Sequence, residues 1–365
     1  MQIKVDTISN NANFNKIYAK TIIPKVYYLK IKAPLAVQFE LTSNCNQKCT
    51  FCYNVWKEGC SKSINKPLSK HKQFKILDKI IENEIFDIIF SGGEPLLINW
   101  LEELIKKASD NGIDTTIITN GILLTSERVK NLKKAGLQGM QISLHHYNPK
   151  INNLLTGKNS FNKTVNGIRN AIKVFKNGGV NVNMVALPET YKDVYKMAKF
   201  LKSLGVLSFT VGTPTATGEM YKNKNLVITK KMFLEIYAQL RRAEKDFKMS
   251  IGFTGGFPIC ILPKFNEKTR EMIANYCDAG LNQLVIDPEG NLKPCVCLSE
   301  KLGNILTDDL QKIWSRTKFL LDIRQLKYAP KECKKCKYIS ICRGGCRASA
   351  RGYFGKIDSK DPLMN

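Results

Sequence analysis

Residues 45–54 read CNQKCTFCYN and place Cys45, Cys49 and Cys52 within eight residues, at spacings of four and three. A closed tetrahedral zinc site uses four ligands, commonly as two short pairs, and disulfides take thiols two by two. Three thiols leave one coordination position open, which suits a site where something other than protein completes the metal. The chain holds 12 cysteines but only three histidines, His71, His145 and His146. Ligation therefore falls to thiolates, and thiolate-only sites select zinc or iron–sulfur clusters. The opening MQIKVDTISNNANF lacks the basic-then-apolar order of a secretory signal, and no long uncharged apolar run suggests a membrane span. A cytoplasmic setting is expected, where thiols stay reduced and such a cysteine count points to metal rather than a disulfide framework.

The elements that must position these thiols alternate in type. LAVQFELT (35–42) reads as a strand running into the cysteine loop, and FDIIFSGGEP (86–95) as a buried strand ending in a glycine turn. IDTTIITNG (113–121), GMQISLH (139–145), VNVNMVALP (180–188) and LSFTVGTP (207–214) continue the series. Amphipathic helical patterns such as WLEELIKKASDNG and TSERVKNLKKAG separate them, with glycines placed to end the helices. Six βα units imply an α/β fold with parallel strands and right-handed crossovers. Six is fewer than the eight of a closed barrel, so a partial (β/α)6 TIM-like barrel over 35–228 is expected, its site at the carboxyl ends of the strands. Residues 1–34 read as a lead-in, 229–251 as a linker helix, and 252–365 as a small cysteine-rich second domain that holds eight of the 12 cysteines.

With aromatic Phe51 before its last cysteine, the loop fits CxxxCxφC, follows the first strand, and is joined by Gly92-Gly93-Glu94-Pro95 closing the second. This set resembles the radical SAM superfamily. The resemblance implies that Cys45, Cys49 and Cys52 hold three irons of a [4Fe–4S] cluster, whose fourth iron takes the amino and carboxylate groups of S-adenosylmethionine (SAM). It implies reductive cleavage of SAM to a 5′-deoxyadenosyl radical that abstracts hydrogen from substrate. Gly92 and Gly93 would let backbone approach the methionine moiety, and Glu94 would accept from its ammonium. Ser143 and Asn120 end the fourth and third strands at the same rim as further SAM contacts. Many relatives carry an arginine soon after the fourth strand; here NNLLTGKNS offers Lys158.

Towards the C-terminus, Cys277, Gly290 and Cys295 fit C-x(12)-G-x(4)-C, and CKKCKYISICRGGC gives Cys333, Cys336, Cys342 and Cys346 as C-x2-C-x5-C-x3-C. These resemble the SPASM domain, which in relatives carries two auxiliary [4Fe–4S] clusters. By position the first would use Cys260, Cys277, Cys295 and Cys346, and the second Cys333, Cys336 and Cys342. The family's closing cysteine usually follows an Asp-Pro; in DPLMN the position is Met364. Asp358, Asp361, Cys297, water or a substrate group are candidates for the missing ligand, while Cys60 and Cys297 otherwise read as ordinary small side chains.

The net charge is +26, and from Arg128 to Pro188 there is no Asp or Glu against ten Lys and Arg. A one-sign face concentrates acidic partners, although a Lys-rich composition alone also produces it. The expected function is radical SAM modification of a peptide, by cross-linking, epimerisation or oxidation, with an acidic precursor peptide and an electron-donor protein as partners. Sulfatase-maturing relatives place an Asp after the cysteine corresponding to Cys295; Val296 stands there, which disfavours formylglycine formation. Thirty-four leading residues leave no room for a separate leader-binding domain. One alternative is tetrapyrrole side-chain chemistry, whose propionates suit a basic face. The other is a zinc-bearing nucleic-acid-binding protein, although nucleic acid is not an expected partner. His145 and His146 at the rim read as satisfied histidines rather than bases.

Overall fold

The computed structural model describes residues 31–57, 68–176, 178–222, 224–263 and 277–365. One sheet organises them, its ten strands in the order β10-β9-β8-β1-β2-β3-β4-β5-β6-β7. The six expected strands are β1 (Ala36–Glu40), β2 (Asp87–Ser91), β3 (Asp114–Thr119), β4 (Gly139–Ser143), β5 (Val180–Val185) and β6 (Ser208–Gly212). Each runs parallel to the next. Four of the five residues of β1 are buried, as befits parallel strands covered on both faces.

The covering helices bury apolar residues three and four apart, as Leu101, Leu104, Ile105 and Ala108 do in the helix Leu101–Asp110. Side-chain caps start several of them. Ser69 accepts from the Lys72 amide, Thr125 from Arg128 and Thr229 from Met232.

Two further parallel strands extend the sheet beyond the expected six. β7 (Ser250–Thr254) pairs with β6, and β8 (Gln283–Ile286) pairs with β1 in the register Ala36↔Gln283. The boundary expected at 251/252 thus falls inside β7. SIGFT is short, contains a glycine and starts on an exposed serine, so its pattern alone is weak. β8 takes its partner from the far end of the chain, which no local pattern reports. β9 (Asn291–Lys293) and β10 (Gly303–Asn304) follow as antiparallel strands. Among the described residues the outer strands β10 and β7 do not pair with each other, so the sheet stays open. Of the expected lead-in, residues 1–30 lie outside the described residues, as does Cys60.

Candidate active site and metal centres

The cysteine loop leaves the carboxyl end of β1 and is braced on two sides by backbone. Gly93 N–H donates to Thr42 O at 2.6 Å, and Glu94 N–H to Asn44 O at 2.9 Å. Opposite, Lys48 N–H donates to Thr156 O and Thr50 N–H to Leu155 O, at 2.9 and 3.1 Å. A Cβ on either glycine would collide with the Thr42–Asn44 backbone, and Gly92 also has φ +128°. Room for the loop itself therefore requires both glycines, a need that the reading for SAM approach did not include. Cys45, Cys49 and Cys52 are each half-buried. Phe51 is buried with Leu155, Leu187 and Met220 and meets the His145 ring edge-on at 4.6 Å.

Glu94 is buried, and its carboxylate gathers three donors: Thr119 Oγ1 at 2.6 Å, Asn120 N–H at 2.8 Å and Leu96 N–H at 3.1 Å. Burial nevertheless raises its carboxyl to about 7. A carboxylate has about four lone-pair sites, so one remains for an ammonium. Asn120 Nδ2 donates to Asn46 Oδ1 at 2.6 Å, tying the end of β3 to the cysteine loop. Ser143 ends β4 half-buried, in register with Asn183. Lys158 is exposed.

His145 accepts the Val185 N–H on Nδ1 at 3.2 Å, and burial lowers its imidazole to about 4. It is neutral near pH 7, with the proton on Nε2. His146 Nδ1 accepts from Asn148 N–H, so its Nε2 donates to Asp193 at 3.3 Å. Sequence reasoning missed Asn44, Asn46 and Asn54. The last donates to Gly92 O at 3.2 Å, while its Oδ1 is buried without a partner among the described residues. Their signal was the asparagines on either side of Cys45 in SNCNQKC and the one two residues after Cys52 in FCYN.

The C-terminal thiols gather in two groups. The Cys295 thiol is raised well above its ordinary value, by burial first and then by the sulfurs of Cys297, Cys277 and Cys346. Burial likewise pushes Cys277 up to about 11 and Cys297 up to about 12, each with Cys346 as the next cause. In the other group, burial raises Cys333, followed by Cys342, Cys260 and Cys336. The amide beside Cys260, that of Ile259, donates to Cys342 Sγ at 3.3 Å, and Cys297, read as an ordinary side chain, stands two residues from Cys295. Asp361 accepts the Cys346 and Leu363 amides at 2.7 and 2.9 Å. Its carboxylate is engaged on the side of the first group.

Among the described residues no three Cys, His, Asp or Glu side chains converge closely enough for one metal ion. The donor chemistry fits iron–sulfur clusters: three half-buried thiols on the loop, then two sulfur-only groups whose protons a bound cluster would displace. The unpartnered Asn54 Oδ1 and the free lone pair of Glu94 are acceptors near Gly92, matching a donor-rich ammonium.

The loop holding Cys52 and the first C-terminal group are physically joined. Glu219 N–H donates to Cys52 O at 2.9 Å and Thr217 Oγ1 to Tyr53 O at 3.1 Å, while Thr215 and Thr217 hydroxyls reach the Cys297 sulfur. Beside them Lys293 on β9 pairs with Glu40 on β1 at 3.1 Å, both side chains buried. On the outer surface, Lys130, Lys134, Lys150, Lys158, Lys163, Arg169, Lys173 and Lys176 are exposed. None of the ion pairs among the described residues includes them.

The Radical SAM superfamily model matches residues 39–201, and the SPASM iron–sulfur cluster-binding domain matches residues 277–337. The chain is 26% identical over 343 residues to the mycofactocin maturase MftC of Mycolicibacterium smegmatis, covering 91% of this chain and 83% of that protein. It is 24% identical over 354 residues to the AdoMet-dependent heme synthase of Methanosarcina barkeri, covering 90% and 96%. Its fold resembles that of Streptococcus suis SuiB bound to precursor peptide SuiA, with a TM-score of 0.70 and 18% identity over 92% of this chain and 77% of that one.

Proposed function

We propose that the chain, matched by the Radical SAM superfamily model over residues 39–201 and by the SPASM model over residues 277–337, is a radical SAM enzyme that modifies a peptide by hydrogen abstraction. Its cofactors are [4Fe–4S] clusters and SAM. Bound at Cys45, Cys49 and Cys52, a cluster would supply the electron for reductive cleavage of SAM.

The chain's own residues hold and orient. Cys45, Cys49 and Cys52 are the thiolates for three irons, on a loop fixed between Gly93 and Thr156 by backbone hydrogen bonds. Glu94 and Asn54 present acceptors to the SAM ammonium, and Asn120 and Ser143 stand at the strand ends for its polar groups. Phe51 closes the apolar floor. Neutral His145 offers an Nε2–H donor and no charge.

One observation carries the reading: a three-thiol loop at the carboxyl end of β1, locked to the Gly92–Glu94 turn of β2. A peptide substrate is supported by the likeness to a mycofactocin maturase and to a fold seen with a precursor peptide. The row of exposed cations without acidic partners among the described residues fits an acidic segment of such a peptide. An electron-donor protein completes the set of partners. We assign residues 35–254 to the barrel and 255–365 to the cluster domain, with β8 returning to the barrel sheet. No helix among the described residues is long and apolar enough to cross a membrane.

The heme synthase likeness and the same cations favour one other substrate, a tetrapyrrole bearing propionates. Anaerobic protein given SAM, dithionite and either an acidic precursor peptide or a propionate-bearing haem precursor separates the two by product mass. A mass change confined to the peptide is the expected result; one confined to the tetrapyrrole overturns the peptide assignment.

A further inference from the structure

The segment that follows β7 links the two C-terminal thiol groups, and its route decides which group Cys260 joins. At Gly256 it passes the first group: a Cβ there would stand 3.3 Å from Cys277 Cβ and 3.9 Å from the Cys346 nitrogen. Three residues later the Ile259 N–H donates to Cys342 Sγ at 3.3 Å. Three residues of extended chain reach about 10 Å, enough to leave one cluster site for the next. Cys260 follows at once, in the tight turn Ile259–Ile261.

Cys297 lies on the other side of this division. The Leu298 N–H donates to Cys295 O at 3.3 Å, closing a turn that holds Cys297 beside Cys295 at the end of β9. Position 364, where the resemblance places the closing thiol, is methionine in the turn Pro362–Met364. Asp361 in the same segment is already bonded to the Cys346 amide.

Building on the cluster-bearing reading above, we propose that Cys260 is the fourth thiolate of the cluster held by Cys333, Cys336 and Cys342. In the same scheme Cys297 is the fourth thiolate beside Cys277, Cys295 and Cys346. Each auxiliary cluster is then fully ligated by protein. A saturated cluster has no iron open to substrate, so both serve electron transfer rather than substrate ligation. Cys260 is exposed, and it therefore puts the solvent-facing corner on the second cluster.

The test uses the Cys45→Ala/Cys49→Ala/Cys52→Ala protein, in which the auxiliary clusters are the remaining ones. Anaerobically reconstituted, this parent should hold about eight irons in two four-iron clusters. Iron and sulfide assays with Mössbauer and EPR spectra are then compared for Cys260→Ala, Cys297→Ser and Asp361→Ala. Cys260→Ala should lose between one and four irons and alter one cluster's signal. Cys297→Ser should alter the other cluster's signal, and Asp361→Ala should keep both cubanes. Since Cys260 is exposed, its truncation leaves the core intact, and the surviving signal reports folding. Parental iron and spectra in Cys260→Ala overturn the assignment, as does perturbation of the same cluster by Cys260→Ala and Cys297→Ser. A parent without any cubane iron overturns the cluster-bearing reading itself.

Discussion

In the amino-terminal loop, Cys45, Cys49 and Cys52 lie within eight residues, whereas the C-terminal cysteines are spread from Cys260 to Cys346. The first set is placed by local chain held between two backbone partners, Gly93–Glu94 and Leu155–Thr156. The second is assembled from separate loops, after β7, after β9 and along the Cys333–Cys346 run. Short spacing makes the first ligand set a property of the sequence. The second is a property of the tertiary fold, since thiols far apart in sequence must be delivered to one point. In the proposed function the open position belongs to the local set.

The two regions meet at Glu40 and Lys293, and breaking that pair should have the largest effect on stability. Lys293→Met strands a buried carboxylate and should cost about 3–5 kcal/mol, whereas Glu40→Gln/Lys293→Met should recover most of it. Chemical denaturation of the three proteins measures this, and equal losses in single and double variants would remove the pair as the junction. Gly93→Ala should strike the local set alone. Its Cβ meets the Asn44 backbone, so a loss of up to about 3 kcal/mol should come with loss of about four irons and retention of the auxiliary spectra. Equal damage to all clusters would show that the regions are not independent.

A smaller effect is tied to pH. Burial raises the Glu94 carboxyl from 4.5 to about 7, so between those values the folded chain holds a proton that the unfolded chain has released. Stability of the metal-free protein should fall as pH rises across that window, by up to about 3 kcal/mol from this group. Glu94→Gln should flatten that part of the slope in urea unfolding at pH 5 and pH 7.5. An unchanged slope would place Glu94 in a more polar site than its hydrogen bonds describe.

How far the molecule was legible follows the same division. β1 to β6 were readable because each is a β-rich run bounded by turn residues, and the shared loop of Cys45, Cys49 and Cys52 was readable because they lie within eight residues. β7 was hidden by its shortness, and β8 by pairing with Ala36 across the whole barrel. Gly92 and Gly93 were noticed as glycines near a ligand, yet the contact that needs them is with Thr42 and Asn44. Cys260 and Cys297 were the hardest to place. Their spacing to the other thiols allows several groupings, and the proposal separates them by the path of the chain past Gly256 and Ile259 and by the turn from Cys295 to Leu298.

The account rests most heavily on what the amino-terminal loop does to SAM. Anaerobically reconstituted protein should be mixed with SAM and dithionite and 5′-deoxyadenosine quantified, beside the Cys45→Ala/Cys49→Ala/Cys52→Ala variant. We expect steady formation by the native chain and none above the protein-free control from the variant. Equal formation by both, or none from a native chain that carries its irons, would contradict the account.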